Sequence, residues 1–179
     1  GILLEQKKFF SEIWDELFPK ERNISHCVLS GPSFAIEIIK QTPTIVTLAS
    51  HNKQVINFVQ QNLHTSSFKT YVTDDVKGVE IGGALKNPLA IGAGIVEGLG
   101  YGINTNAALV TRGLFEMSLF SEKFGGKHDT LFGLSGVGDV MLTCLGKLSR
   151  NKSVGIKLAE GKSLDQILAE SNEVAEGIP

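Results

Sequence analysis

Hydrophobic positions along the chain change period twice. In residues 2–18, Ile2, Phe9, Phe10, Ile13, Leu17 and Phe18 recur near helical spacing, and Pro19 closes the segment, which predicts one amphipathic helix. HCVLSG (26–31) is a short apolar run stopped by Gly31-Pro32, and SFAIEIIK after it reads as a short helix if Ser33 caps it. PTIVTLAS (43–50) is β-branched, NKQVINFVQQNL (52–63) is amphipathic at period 3.6, and SFKTYVT (67–73) alternates as a strand does. Strands that alternate with helices over such short connections predict part of a parallel or mixed α/β sheet.

Beyond Asp74 no further β-branched run appears. Helical patterns take over at about 76–98, 104–124, 134–145, 150–160 and 163–171, with Gly100, Gly102, Gly125-Gly126 and Gly161 at the breaks. The fold class is therefore α/β followed by all-α. No G-x-G-x-x-G turn occurs, so three strands stand without the usual opening of a nucleotide-binding fold.

Composition narrows the function. The 179 residues are 42% hydrophobic and 20% charged with a net charge of −2, ordinary for a globular protein and without a footprint for nucleic acid. Cys27 and Cys144 are too few for a disulfide framework and read as free thiols of a reducing compartment, the cytoplasm. The N-terminal stretch has no signal-peptide h-region. Residues 82–100 are apolar, but Lys86, Asn87, Pro88 and Glu97 interrupt them, so a buried helix is expected and not a membrane span.

Lys86 is the outlier of that helix, a lone cation in VEIGGALKNPLAIGAG. An ammonium among glycines and alanines needs a partner or a task, although it could also snorkel to solvent. Pro88 frees the Ala84 carbonyl from its helical bond. In LSGVGDVMLTC (134–144), Asp139 follows a Gly-flanked turn and could orient Lys86 or simply cap a helix. Ser149, Arg150 and Asn151 open a helix whose N–H groups and guanidinium suit a phosphate, or form an ordinary capped surface turn. Gly31-Pro32-Ser33 ends a strand where open α/β sheets bind ligands, but the G-x-S-x-G spacing of a nucleophile elbow is absent. His26, His51, His64 and His128 show no metal-ligand spacing.

Taken together, GPSFA (31–35), VEIGGALKN (79–87), GLGYGINTNAALVTRGLFEM (98–117), GLSGVGDVMLTC (133–144), SRN (149–151) and EVAEG (173–177) resemble the bacterial NAD(P)-dependent glycerol-3-phosphate dehydrogenases, in their order and approximate spacing. The resemblance implies reduction of dihydroxyacetone phosphate to sn-glycerol 3-phosphate with NAD or NADP as cofactor, feeding phospholipid synthesis. It implies the later part of a Rossmann-like nucleotide-binding domain over residues 1–76 and a helical substrate-binding domain over 77–179. Lys86 corresponds to the general acid/base and Asp139 to the carboxylate beside it. Gly31, Ser33, Asn87, Ser149, Arg150 and Asn151 correspond to substrate contacts, and Ala35, Arg150, Val174 and Glu176 to cofactor contacts. A small phosphorylated substrate, no nucleic-acid partner and a homodimer are expected.

In that family a Rossmann segment with the G-x-G-x-x-G turn, and a substrate-contacting lysine, precede the positions matched here. Little or no dehydrogenase activity is therefore expected of this chain alone. Two alternatives stay open on the residues: another β-hydroxyacid-type dehydrogenase, which also places a lysine on the first helix after its nucleotide domain, and a non-catalytic helical assembly module.

Overall fold

A computed structural model of the chain describes residues 2–3, 6–18, 24–170 and 177. It opens with an antiparallel ribbon, β1 (Ile2–Leu3) against β2 (Lys8–Phe9), and only then comes helix α1 (Phe10–Leu17). The single helix expected over 2–18 is thus corrected to a hairpin and a shorter helix. Lys7 takes φ 53 in the connecting turn, which a continuing helix cannot contain. Extended Phe9 then donates its N–H to the Glu12 carboxylate at 2.7 Å, so the helix starts at Phe10.

The sheet runs in the order β3 (Val28–Ser30), β4 (Thr44–Ala49), β5 (Phe68–Thr73). β3 is antiparallel to β4, with Ser30 opposite Thr47, and β4 is parallel to β5, with Thr47 opposite Tyr71. Helix α3 (Lys53–Leu63) makes the crossover between the parallel strands, and the Asn52 side chain caps it by accepting from the N–H groups of Gln54 and Val55. Central β4 contributes Val46, Leu48 and Ala49 to the core. α2 (Ala35–Ile39) follows the Gly31-Pro32 turn, but its cap position is Phe34. Ser33 instead donates its hydroxyl to the Gly31 carbonyl at 2.8 Å, tightening the turn.

The rest is helical: α4 (Val76–Gly98), α5 (Ile103–Lys123), α6 (His128–Leu131), α7 (Asp139–Leu145), α8 (Arg150–Ala159) and α9 (Leu164–Glu170). The short α6 was not among the expected elements. The helix expected over 134–145 is two pieces, a π-helical turn at Leu134–Gly138 and then α7. α4 is the spine, packing on α5, α7, α8 and the sheet. Its buried cap, Asp75, accepts from Gly78 N–H at 2.9 Å, Lys127 N–H at 2.8 Å and Thr130 Oγ1 at 2.5 Å, so one carboxylate joins α4 to α6. Among the described residues no single helix is long and apolar enough to cross a membrane.

Small residues let α8 lie directly on α4. A Cβ added at Gly94 would stand 2.1 Å from the Lys152 carbonyl oxygen, and one at Gly155 would stand 2.0 Å from that of Ile91. Ala90 and Ala93 pack with Val110, Met117, Leu131, Val140 and Cys144 on the other side. At the far end, buried Lys152 meets Glu97 at 2.8 Å and donates to the Leu145 carbonyl at 3.3 Å, tying α8 to α4 and α7. Because both helix backbones would have to part to admit one methyl group, Gly94→Ala is expected to cost about 2 kcal/mol or more in guanidinium denaturation. A loss below about 0.5 kcal/mol would show that the helices are not in backbone contact there.

Candidate active site

Between the carboxyl end of β3 and helices α4, α7 and α8 lies a cavity of about 640 Å³. Gly31, Ser33 and Ala35 come to it from the turn after β3, Lys86 and Asn87 from the middle of α4, Asp139 from the start of α7, and Ser149, Arg150 and Asn151 from the start of α8. Residues separated by more than a hundred positions thus share one wall-to-wall space. Val174 and Glu176 lie outside the described residues.

Lys86 Nζ donates to Asp139 Oδ2 at 2.6 Å. Asp139 keeps 3% of its side-chain surface and Lys86 21%, so the carboxylate is interior and the ammonium faces the cavity. Asp139 does not cap its helix with its side chain, since the cap position is Gly138. A charge so placed is tolerable only because the lysine and further donors meet it. Thr143, one turn on, donates to the Asp139 main-chain carbonyl at 2.6 Å.

Beside this pair, Asn87 and Asn151 form a buried amide contact: Asn151 Nδ2 donates to Asn87 Oδ1 at 3.1 Å. Asn151 Oδ1 in turn accepts the Gly177 N–H at 2.9 Å, which holds Gly177 against the first turn of α8. Ser149 is buried and caps α8, accepting from Lys152 N–H at 3.2 Å. Arg150 is exposed at the rim of the cavity. Gly31 adopts φ 143, and a Cβ there would stand 3.0 Å from Val46 Cα, so the turn over β4 requires glycine.

Several lining residues carried no recognised signal in the sequence. Phe34, Ile36, Leu142 and Leu148 give the cavity apolar walls, and Thr143 stands one helical turn from Asp139. Ser30 donates to Asp139 Oδ2 at 3.3 Å. Its available signal was a hydroxyl where strand alternation calls for an inward apolar residue. Among the described residues no three His, Cys, Asp or Glu side chains come close enough to hold a metal ion.

A family profile described as NAD-dependent glycerol-3-phosphate dehydrogenase C-terminus matches residues 75–179, and its N-terminus counterpart matches residues 1–56. The chain belongs to the NAD-dependent glycerol-3-phosphate dehydrogenase family. It is 49% identical over 178 residues to the glycerol-3-phosphate dehydrogenase, NAD(P)+, of Leptospira biflexa, covering 99% of this chain and 54% of that protein. The enzyme of the same name from Geobacter sp. strain M21 is 48% identical over 178 residues, with 99% and 53% covered. The crystal structure of glycerol-3-phosphate dehydrogenase from Coxiella burnetii superimposes with a TM-score of 0.93 at 39% identity, over 99% of this chain and 54% of that one. The chain thus spans about half the length of these dehydrogenases.

Cys144 lies behind the Asp139 turn of this dehydrogenase-family chain, wholly buried among Ala90, Val110 and Val140. Burial pushes its thiol from 9.0 up to about 12, with the charge of Lys152 offsetting only part of the rise. The folded state therefore holds this proton more tightly than the unfolded chain. Its contribution to stability is whole below pH 9 and is lost as pH rises toward 12. Iodoacetamide at pH 9 is expected to leave Cys144 unmodified in the native protein and to label it once guanidinium is added, as read by peptide mass spectrometry. Native labelling of Cys144 as fast as that of a free thiol would contradict this burial.

Proposed function

We propose that the enzyme containing this chain interconverts dihydroxyacetone phosphate and sn-glycerol 3-phosphate with NADH or NADPH. The observation that carries the reading is the cavity itself, in which the Lys86 ammonium, held at 2.6 Å by a buried carboxylate, faces the first turn of α8. One wall is suited to a carbonyl oxygen that gains a proton and the other to a phosphate. In this reading residues 1–76 serve the nucleotide and 77–179 the substrate.

Lys86 gives its proton to the carbonyl oxygen as that oxygen becomes an alkoxide, and takes it back in the oxidative direction. Asp139 aims the ammonium and balances its charge without leaving the interior. Ser149, Arg150 and Asn151 hold the phosphate, the guanidinium supplying two parallel donors and the helix its first-turn N–H groups. Asn87, locked to Asn151, sets the distance between the two ends of the substrate.

The residues present fit a nicotinamide nucleotide: Phe34, Ala35 and Ile36 offer apolar surface for a flat ring on the sheet side of the cavity, and Arg150 a cation for a phosphate. When bound, that cofactor is the hydride source for the carbonyl carbon. Val174 and Glu176 are assigned to its contacts by family resemblance. Free Cys27 and Cys144 accord with a reducing compartment, so the reaction is assigned to the cytoplasm, in a homodimer whose mass a sedimentation experiment checks.

In the full-length enzyme Lys86→Ala is expected to lower kcat for dihydroxyacetone phosphate by about 10²–10⁴. With the cofactor saturating, so that the cofactor contact of Arg150 does not enter, Arg150→Ala is expected to raise KM for the phosphorylated substrate by at least about tenfold, and to change turnover of unphosphorylated dihydroxyacetone far less. Steady-state NADH oxidation checks both. Unchanged kinetics in Arg150→Ala would remove phosphate recognition from the α8 turn and favour a β-hydroxyacid substrate.

A further inference from the structure

Side chains on β3 alternate between the two faces of the sheet, so Val28 and Ser30 point the same way. On that face Val28 packs with Ala49, Val76 and Val79 under the first turns of α4. An apolar side chain at position 30 would extend this contact. A hydroxyl stands there instead, beside Gly83 of α4, where an added Cβ would lie 3.5 Å from Ser30 Oγ. Polar groups in such places are kept when they have a partner. The partner of this one is Asp139 Oδ2, at 3.3 Å.

That oxygen is the one that receives Lys86 Nζ, at 2.6 Å. Rotation about the last bond of an aspartate is soft and nearly two-fold, so something must decide how the carboxylate plane stands. α7 reaches only the other oxygen, and at long range. Its Thr143 hydroxyl is directed to the Asp139 main-chain carbonyl at 2.6 Å and is 3.4 Å from Oδ1. Lys86 holds Oδ2 at 2.6 Å, and Ser30 adds a longer contact to the same oxygen at 3.3 Å, approaching from a strand whose register is held by β4.

We infer that Ser30 is a positioning residue, which fixes the Asp139 carboxylate so that its Oδ2 presents the Lys86 ammonium to the cavity. The inference rests on Lys86 acting as the proton donor. It makes the end of β3 part of the reaction geometry and not only the frame around the Gly31 turn. The sheet thereby sets the direction of a proton that is carried by a helix.

The test uses the full-length enzyme with Ser30→Ala, Ser30→Thr and Lys86→Ala. Loss of one hydrogen bond to a charged group in Ser30→Ala is expected to lower kcat about three- to tenfold and leave KM within about twofold. The pH profile of kcat is expected to move, and kcat is expected to fall at temperatures where the variant is still fully folded. Ser30→Thr, which keeps the hydroxyl, is expected to restore most of kcat. Unchanged kcat and pH profile in Ser30→Ala would overturn the inference. So would a kcat that falls only together with the thermal midpoint and is not rescued by threonine. If wild type fails to reduce dihydroxyacetone phosphate, or Lys86→Ala is fully active, the proposed function itself fails and takes this role with it.

Discussion

One almost wholly buried carboxylate, that of Asp139, is the constraint around which the rest of this structure is arranged. An ionised group in the interior costs several kcal/mol unless charge and hydrogen bonds meet it, and removing one member of such a pair typically costs about 3–5 kcal/mol. Lys86 from α4 and Ser30 from β3 converge on its Oδ2. Helix α7, helix α4 and the sheet are therefore not free to shift independently. The same contact leaves the ammonium partly exposed toward the cavity.

α4 makes that convergence possible because polar anchors recur along an otherwise small-residue helix. At its start Asp75 binds α6, and one turn on Glu80 accepts both the N–H and the hydroxyl of Ser11, holding α1. In its middle Lys86 and Asn87 reach α7 and α8, and near its end Glu97 reaches Lys152. Between the anchors, Gly94 and the facing Gly155 allow α8 to lie against α4 backbone to backbone. That close approach sets the α8 first turn across the cavity from Lys86. Both walls of the cavity depend on the same helix, so a residue that changes the separation of α4 and α8 also changes the distance between the Lys86 ammonium and the first turn of α8.

Helix and strand positions were largely legible in the chain because their causes are local. Asn52, Asp75 and Ser149 each accept N–H groups within three residues, and such caps are visible in any sequence. The positive-φ glycines at 100, 125 and 161 stand where helices end. The failures are local as well. The apolar positions of residues 2–18 come in clusters that fit a helical period as well as a hairpin followed by a short helix, and the turn at Lys7 carries no glycine to announce it. Ser33 has a capping residue's chemistry, but its hydroxyl finds the Gly31 carbonyl first.

From the sequence by itself came an α/β unit followed by helices, the isolated charge of Lys86, the capped turn at Ser149–Asn151 and, through six motifs in order, the family. Each depends on periodicity or on a short string of residues. What only the tertiary structure decided was that Asp139 pairs with Lys86 and does not cap its helix, that Asn151 serves both Asn87 and Gly177, and that Ser30 reaches Asp139. These contacts join residues 26 to 109 positions apart. No local propensity encodes such a pairing, because it exists only once α4, α7, α8 and β3 have packed and buried the carboxylate that then has to be satisfied.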